Sequence, residues 1–391
     1  MKIAGRAERI RPFHVMELLA RAKALEAEGR NVVHMEVGEP DFPTPETVIA
    51  AAARELSRGR IHYTPALGLP QLREAIADYY KDRFGLDVDP GRIVVTPGSS
   101  TGLQLVMSAL VDKGEEVLLT DPGYPCNRNF VHLVDAKPVG IAVDAASRYQ
   151  PTPDRVAAAW SRRTRALVVA TPANPTGSLL DLESLAALYE PVAAAGAWLI
   201  VDEIYQGLTY GAEDVTALAL EAENLIVVNS FSKYFGMTGW RVGWLVVPHE
   251  LVPTMEKLAQ NLYLSAPTLA QHAAIEALGP GTRPVLDARR DEFRKRRDYL
   301  YGALGRIGFG VGAIPEGAFY VYADCSPFTA DSYRFAWDLL EQTGVAVTPG
   351  RDFGAHESER HLRFAYTTQI DRLEEGISRI EAFLAQRRSD S

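Results

Sequence analysis

Seven short, almost uninterrupted apolar runs punctuate the middle of this 391-residue chain. They are Ile93-Val94-Val95-Thr96, Glu116-Val117-Leu118-Leu119, Pro138-Val139-Gly140-Ile141, Ala166-Leu167-Val168-Val169, Trp198-Leu199-Ile200-Val201, Leu225-Ile226-Val227-Val228 and Gly243-Trp244-Leu245-Val246-Val247. A strand with one wet face alternates apolar and polar residues, whereas a strand covered on both faces reads as a continuous apolar run. Helical periods separate several of these runs across residues 44–278. This alternation marks an α/β fold with a mostly parallel sheet. After Gly279-Pro280-Gly281 the texture changes. A charged helix over 283–304, a strand at Phe319-Tyr320-Val321-Tyr322, a helix near 333–342, a strand at Leu362-Arg363-Phe364-Ala365-Tyr366 and a helix over 372–385 describe a smaller α+β part. Ahead of the sheet, 16–28 reads as an amphipathic helix ending at Gly29, and Val32-Val33-His34-Met35-Glu36-Val37 as a strand. The expected division is a large domain over 44–279 and a discontinuous small domain from 1–43 and 280–391.

A net charge of −9 argues against a nucleic-acid binder, which usually carries a basic face. The two cysteines, Cys126 and Cys325, lie far apart and show no metal-ligand spacing, so neither a metal nor a disulfide is expected. A reducing, cytoplasmic setting is the default for such a chain. Residues 1–9 carry charges with no apolar stretch after them, unlike a signal peptide. No apolar run approaches the roughly 18 residues that span a bilayer. The tail over 386–391 is polar and is expected to fray.

The most informative stretch is Asn229-Ser230-Phe231-Ser232-Lys233-Tyr234-Phe235-Gly236-Met237-Thr238-Gly239-Trp240-Arg241. A lysine amine forms a Schiff base with a carbonyl compound. Ser230, Ser232 and Arg241 suit a dianionic phosphate, which arginine grips bidentately. An aldehyde that also carries a phosphate is pyridoxal 5′-phosphate. Taken alone, the run reads equally well as a surface lysine in a Gly/Ser loop.

Other motifs follow the strand runs. Thr96-Pro97-Gly98-Ser99-Ser100-Thr101-Gly102 joins a strand to a helix expected over 103–111, where free N–H groups and hydroxyls attract an anion. Ser and Thr there are also ordinary caps. Ala173-Asn174-Pro175-Thr176-Gly177 is a turn by composition, or an asparagine amide offered at a strand's carboxyl end, where α/β sheets bind ligands. Asp202 directly follows an apolar strand and is costly to bury without a partner, which a protonated pyridine nitrogen supplies. Tyr205 follows on the same loop. Tyr124, in Asp121-Pro122-Gly123-Tyr124-Pro125, suits stacking on a flat cofactor or a simple turn.

As a set these motifs resemble the class I/II aminotransferases of the fold-type I, pyridoxal phosphate-dependent superfamily, of aspartate aminotransferase type. The resemblance covers about 10–383 and is carried by Asn174-Pro175-Thr176-Gly177, Asp202-Glu203-Ile204-Tyr205 and Ser230-Phe231-Ser232-Lys233 with Arg241. It implies a seven-stranded large domain, a smaller α+β domain and a homodimer with shared sites. It implies that Lys233 carries the cofactor as a Schiff base and then moves the proton between the substrate's α-carbon and the cofactor. It implies Asp202 against the pyridine nitrogen, Asn174 and Tyr205 at the ring oxygen, and Tyr124 on the ring. Ser99, Ser100, Ser230, Ser232 and Arg241 would surround the phosphate, joined by Tyr63 from the neighbouring subunit. Arg363 would clamp the substrate α-carboxylate, with the Gly38 backbone beside it.

The implied activity is transfer of an amino group between an L-amino acid and a 2-oxo acid by a ping-pong mechanism. An aspartate-using branch of the family carries a lysine in the phosphate loop, where this chain has Ser100. The stretch Pro12-Phe13-His14-Val15-Met16 is more apolar than in that branch, and 260–267 offers Tyr263 but no arginine. A neutral or aromatic donor is therefore expected over aspartate. The alternatives are an aspartate aminotransferase or a C–S lyase on the same scaffold. A transcription regulator would need a DNA-binding domain for which 1–29 is too short. A Rossmann dehydrogenase would need a G-x-G-x-x-G turn that the first βα unit lacks.

Overall fold

The computed structural model describes residues 2–59 and 61–389. Its centre is a seven-stranded sheet in the order Ile93–Thr96, Gly243–Val246, Leu225–Ser230, Trp198–Asp202, Thr164–Ala170, Glu116–Asp121, Lys137–Ala142. Every neighbouring pair is parallel except the two made by Gly243–Val246. Each apolar run of the sequence is thus a strand of one sheet. The reason is visible in the packing. Leu199, Val201 and Val227 belong to one buried cluster, and Ile200, Ile226 and Val228 to a second. Successive side chains point to opposite faces, and both faces are covered.

The register sets the floor of the site. Ala170 lies opposite Asp202, and Asp202 opposite Val228. Thr164–Ala170 and Trp198–Asp202 therefore end level while Leu225–Ser230 runs on past them, and the segments at these ends carry Asn174, Asp202 and Lys233. Ligands in open α/β sheets bind beyond such ends.

A four-stranded antiparallel sheet, ordered Thr348–Pro349, His361–Ala365, Tyr320–Asp324, Gly310–Val311, lies apart from it. Helices Arg283–Ile307 and Ser332–Thr343 pack on this second sheet, and Ile370–Ser389 packs on those two helices. The N-terminal helix His14–Ala27 packs there too, and the two-residue strand Val33–His34 runs parallel to Val345–Ala346.

Three expectations need correction. The strand predicted over 32–37 spans only Val33–His34. Beyond it, side chains take the carbonyls: Glu36 O accepts from Arg363 and Thr348, and Val37 O accepts from Thr367. The helix predicted from 103 begins at Ser99, because Gly98 makes the turn at φ +80°. The last helix continues to Ser389, with Arg387 and Arg388 packed over the rings of Phe335, Phe383 and Phe328. Of the tail predicted to fray, Asp390 and Ser391 lie outside the described residues. No helix among the described residues is long and apolar enough to cross a membrane.

Candidate active site

A cavity of about 270 Å³ opens at the level strand ends. It is lined by Gly38, Ser99, Ser100, Tyr124, Asn174, Asp202, Tyr205, Ser232, Lys233, Arg241 and Arg363, all expected from the sequence. These come from segments spread over more than 300 residues, so the fold has gathered them.

Lys233 is half-buried, and its Nζ donates to the Gly38 carbonyl at 2.6 Å. Burial lowers its pKa to about 8. Arg363 and Arg241 push the same way, while Glu39 and Asp202 oppose them. Asp202 ends its strand with Oδ1 accepting from the Ile204 N–H at 3.1 Å. Burial raises its carboxyl to about 6, against the pull of that N–H and of Lys233. Among the described residues no lysine or arginine forms an ion pair with Asp202. A buried carboxylate that faces a cavity and has no ion-pair partner is poised for a cationic ligand group.

One end of the cavity is an anion cradle. The first-turn N–H groups of helix Ser99–Leu110 have no partner within the helix. Arg241 faces them, with Nη1 donating to the Thr238 carbonyl at 2.7 Å and to Ser232 Oγ at 3.4 Å. A Cβ on Gly98 would collide with the Arg241 guanidinium, so glycine leaves the approach open. Ser230 does not line the cavity. Its hydroxyl meets Ser232 Oγ at 3.0 Å and accepts from the Ser232 N–H at 3.1 Å, which holds Ser232 from behind.

The other end is built on the small sheet. Arg363 is buried, donating to Asn174 Oδ1 at 2.9 Å, to the Glu36 carbonyl and to Thr348 Oγ1 at 3.3 Å. Its Nε has no partner. Phe13, Val15, Met16 and Val37 form an apolar wall here. Tyr124 is raised in pKa by burial, with Ser100 and Cys126 near its hydroxyl.

Two expected residues lie elsewhere. Tyr63 is 83% exposed beside a separate surface depression formed with Ile61, His62 and Ser265. Tyr263 packs against the sheet's second cluster, and its hydroxyl is buried without a partner. The sequence reading missed Tyr320, Thr238 and Ile204, which also line the cavity. The alternation of tyrosines in Tyr320-Val321-Tyr322, on the strand beside Arg363, was the available signal for Tyr320.

The sequence matches the family "Aminotransferase class I and II" over residues 30–380. The chain is 40% identical to a valine–pyruvate aminotransferase of Mycobacterium tuberculosis, over 95% of this chain and 96% of that one. It is 37% identical to a (5-formylfuran-3-yl)methyl phosphate transaminase of Methanocaldococcus jannaschii, over 95% and 96%. A crystal structure of an aminotransferase from Mycobacterium tuberculosis superposes with a TM-score of 0.95 at 39% identity, covering 99% of this chain and 100% of that one.

Proposed function

This chain belongs to the class I and II aminotransferases and is a pyridoxal phosphate-dependent aminotransferase, and we propose that it takes its amino group from a neutral or aromatic L-amino acid and passes it to a 2-oxo acid. The observation that carries this donor class is the cavity's wall. Among the described residues its only cations are Lys233, Arg241 and Arg363, and Phe13, Val15, Met16 and Val37 line it as well. Among the described residues no further cation lines the cavity to receive a side-chain carboxylate, whereas an apolar side chain gains by leaving water.

The residues fit the cofactor. Asp202, buried without a cation, suits the pyridinium nitrogen. The Gly98–Arg241 approach, Ser232 and the helix start at Ser99 and Ser100 suit the phosphate. Asn174 and Tyr205 face the same space and suit the ring oxygen, and Tyr124 the ring. When bound, pyridoxal phosphate supplies an aldehyde for the amino group and an electron-poor ring that accepts the electron pair released at the α-carbon.

The chain's own groups do the rest. Arg363 grips the α-carboxylate, which its free Nε and fork of donors favour. Gly38 brings backbone close beside that carboxylate and holds Lys233 through its carbonyl. Lys233, lowered to about 8 by burial, is near the pH at which an amine both takes and returns a proton. Fixing the carboxylate and the amine in one cavity turns proton transfer into an intramolecular step. Exposed Tyr63 supports a homodimer in which this side chain reaches the phosphate of the neighbouring site. The same reading divides the chain into a large domain at 44–279 and a small one from 1–43 and 280–391. Two free cysteines suit a cytoplasmic setting.

The test is a panel of half-reactions. Loaded enzyme is mixed with each amino acid singly, and the cofactor absorbance and the released 2-oxo acid are followed. Large apolar and aromatic donors should react with the highest kcat/KM. Faster reaction with aspartate would reverse the donor assignment, and release of ammonia or a thiol without 2-oxo acid exchange would favour a lyase.

A further inference from the structure

The hydroxyls of Tyr205 and Tyr320 meet at 2.8 Å inside the cavity. Both side chains are buried. Tyr205 follows Asp202 off the large sheet, and Tyr320 opens the small-sheet strand that pairs with the strand of Arg363. The Arg363 guanidinium lies 4.2 Å from the centre of the Tyr320 ring. A Cβ on Gly38 would collide with the Tyr320 hydroxyl, so this glycine makes the room that the hydroxyl occupies. One phenol oxygen therefore touches Gly38 and Tyr205 while its ring carries Arg363.

Which phenol donates is decided by charge. A cation beside a phenol favours its phenolate and so strengthens its O–H as a donor. Arg363 lies 4.2 Å from the Tyr320 ring and acts on Tyr205 as well, whose ring has Lys233 Nζ 5.9 Å away. Burial raises both phenol pKa values, that of Tyr205 to well above the ordinary value. The remaining ionisable group acting on Tyr205 is Tyr124. Tyr320 donates, Tyr205 accepts, and the Tyr205 proton is left to point into the cavity.

We propose that Tyr320 is a positioning residue that turns the Tyr205 proton toward the cofactor and makes its strength depend on the charge of Arg363. A carboxylate bound at Arg363 cancels the field on the Tyr320 ring and weakens its donation. Tyr205 then becomes a weaker donor. Occupancy of the carboxylate site is thus transmitted to the cofactor's ring oxygen through two phenols. The inference rests on the proposed roles of Arg363 and Tyr205.

The experiment titrates the visible absorbance of the loaded enzyme against pH, alone and with 3-phenylpropanoate, an unreactive monocarboxylate. A hydrogen bond donated to the ring oxygen draws off charge that holds the neighbouring proton, so a stronger donor lowers this spectral pKa. Tyr320→Phe should raise it by about one unit, no further than Tyr205→Phe does. The additional rise caused by 3-phenylpropanoate should shrink by roughly half or more, while its Kd changes less than about threefold because the ring under Arg363 remains. In a Tyr205→Phe background, Tyr320→Phe should add nothing. A wild-type spectral pKa and a wild-type carboxylate response in Tyr320→Phe would overturn the proposal, as would an effect that persists without the Tyr205 hydroxyl. Failure of the underlying reading looks different: Tyr205→Phe leaves the spectral pKa unchanged, or Arg363→Lys binds 3-phenylpropanoate as wild type does.

Discussion

Arg363 Nη1 donates to the Asn174 carboxamide oxygen at 2.9 Å, joining the small sheet to the loop beyond strand Thr164–Ala170. The carbonyl side of the amide is thereby committed to the guanidinium. Asn174→Asp keeps the shape and places an anion where the substrate carboxylate must share Arg363. The KM for any amino donor should rise at least about tenfold, since an ion pair must be broken or crowded before the carboxylate binds. Steady-state kinetics with one donor, beside a direct pyridoxal phosphate titration, separates this from a loss of cofactor.

Lys233→Ala removes the amine and the bond to Gly38. Turnover should fall by about 10³-fold or more, the scale of a lost general base. The cofactor should still bind through Asp202 and the cradle. Borohydride treatment followed by mass spectrometry should then find no covalent adduct. An adduct on the variant would assign the Schiff base to another lysine.

Asp202→Asn separates the empty protein from the loaded one. The folded carboxyl is raised to about 6 by burial, above its unfolded value. Between those two values the native state binds more protons than the unfolded chain, so stability falls as pH rises toward 6 and the penalty persists above it. It amounts to roughly 3 kcal/mol. Without cofactor, Asp202→Asn should melt higher than wild type at pH 7.5, with the gap closing as pH falls through 6 toward 4. With pyridoxal phosphate the order should reverse, because the pyridinium no longer has its anion. Thermal melts at both pH values, with and without cofactor, check the crossover.

Gly98→Ala tests the cradle. Gly98 sits at φ +80°, where an L side chain is strained, and its Cβ would strike the Arg241 guanidinium. The Kd for pyridoxal phosphate should weaken by about tenfold or more, since displacing one arginine forfeits a charge-assisted contact. Inorganic phosphate, competing for the same cradle in wild type, should lose that competition in the variant.

Much of this arrangement was legible along the chain, for a physical reason. Burial on both faces writes a strand as an unbroken apolar run, so the sheet and the residues just beyond its strand ends, Asn174, Asp202 and Lys233, could be read locally. Tyr320 could not. The tyrosine alternation marks it as a strand residue, but it stands among Phe319, Val321 and Tyr322, all buried, and its contacts with Gly38, Tyr205 and Arg363 come from distant segments. Ser230 was picked out by the local pattern around Lys233, and the fold sets its hydroxyl against Ser232 Oγ, behind the cavity lining. The short strand Val33–His34 was overread because side-chain donors, invisible in a local window, take the carbonyls of Glu36 and Val37.

The pairing of Val33 with Val345 also has a meaning for biosynthesis. The partner of this early strand leaves the ribosome roughly 310 residues later, a wait of about 15 to 60 seconds at ordinary translation rates. The large sheet, complete by Val246, can close on its own during that interval. The N-terminal segment, which supplies Gly38 and the apolar wall, must wait for the C-terminal third. A growing chain therefore completes the segments that carry the Gly98–Arg241 cradle and Lys233 well before those that carry Arg363.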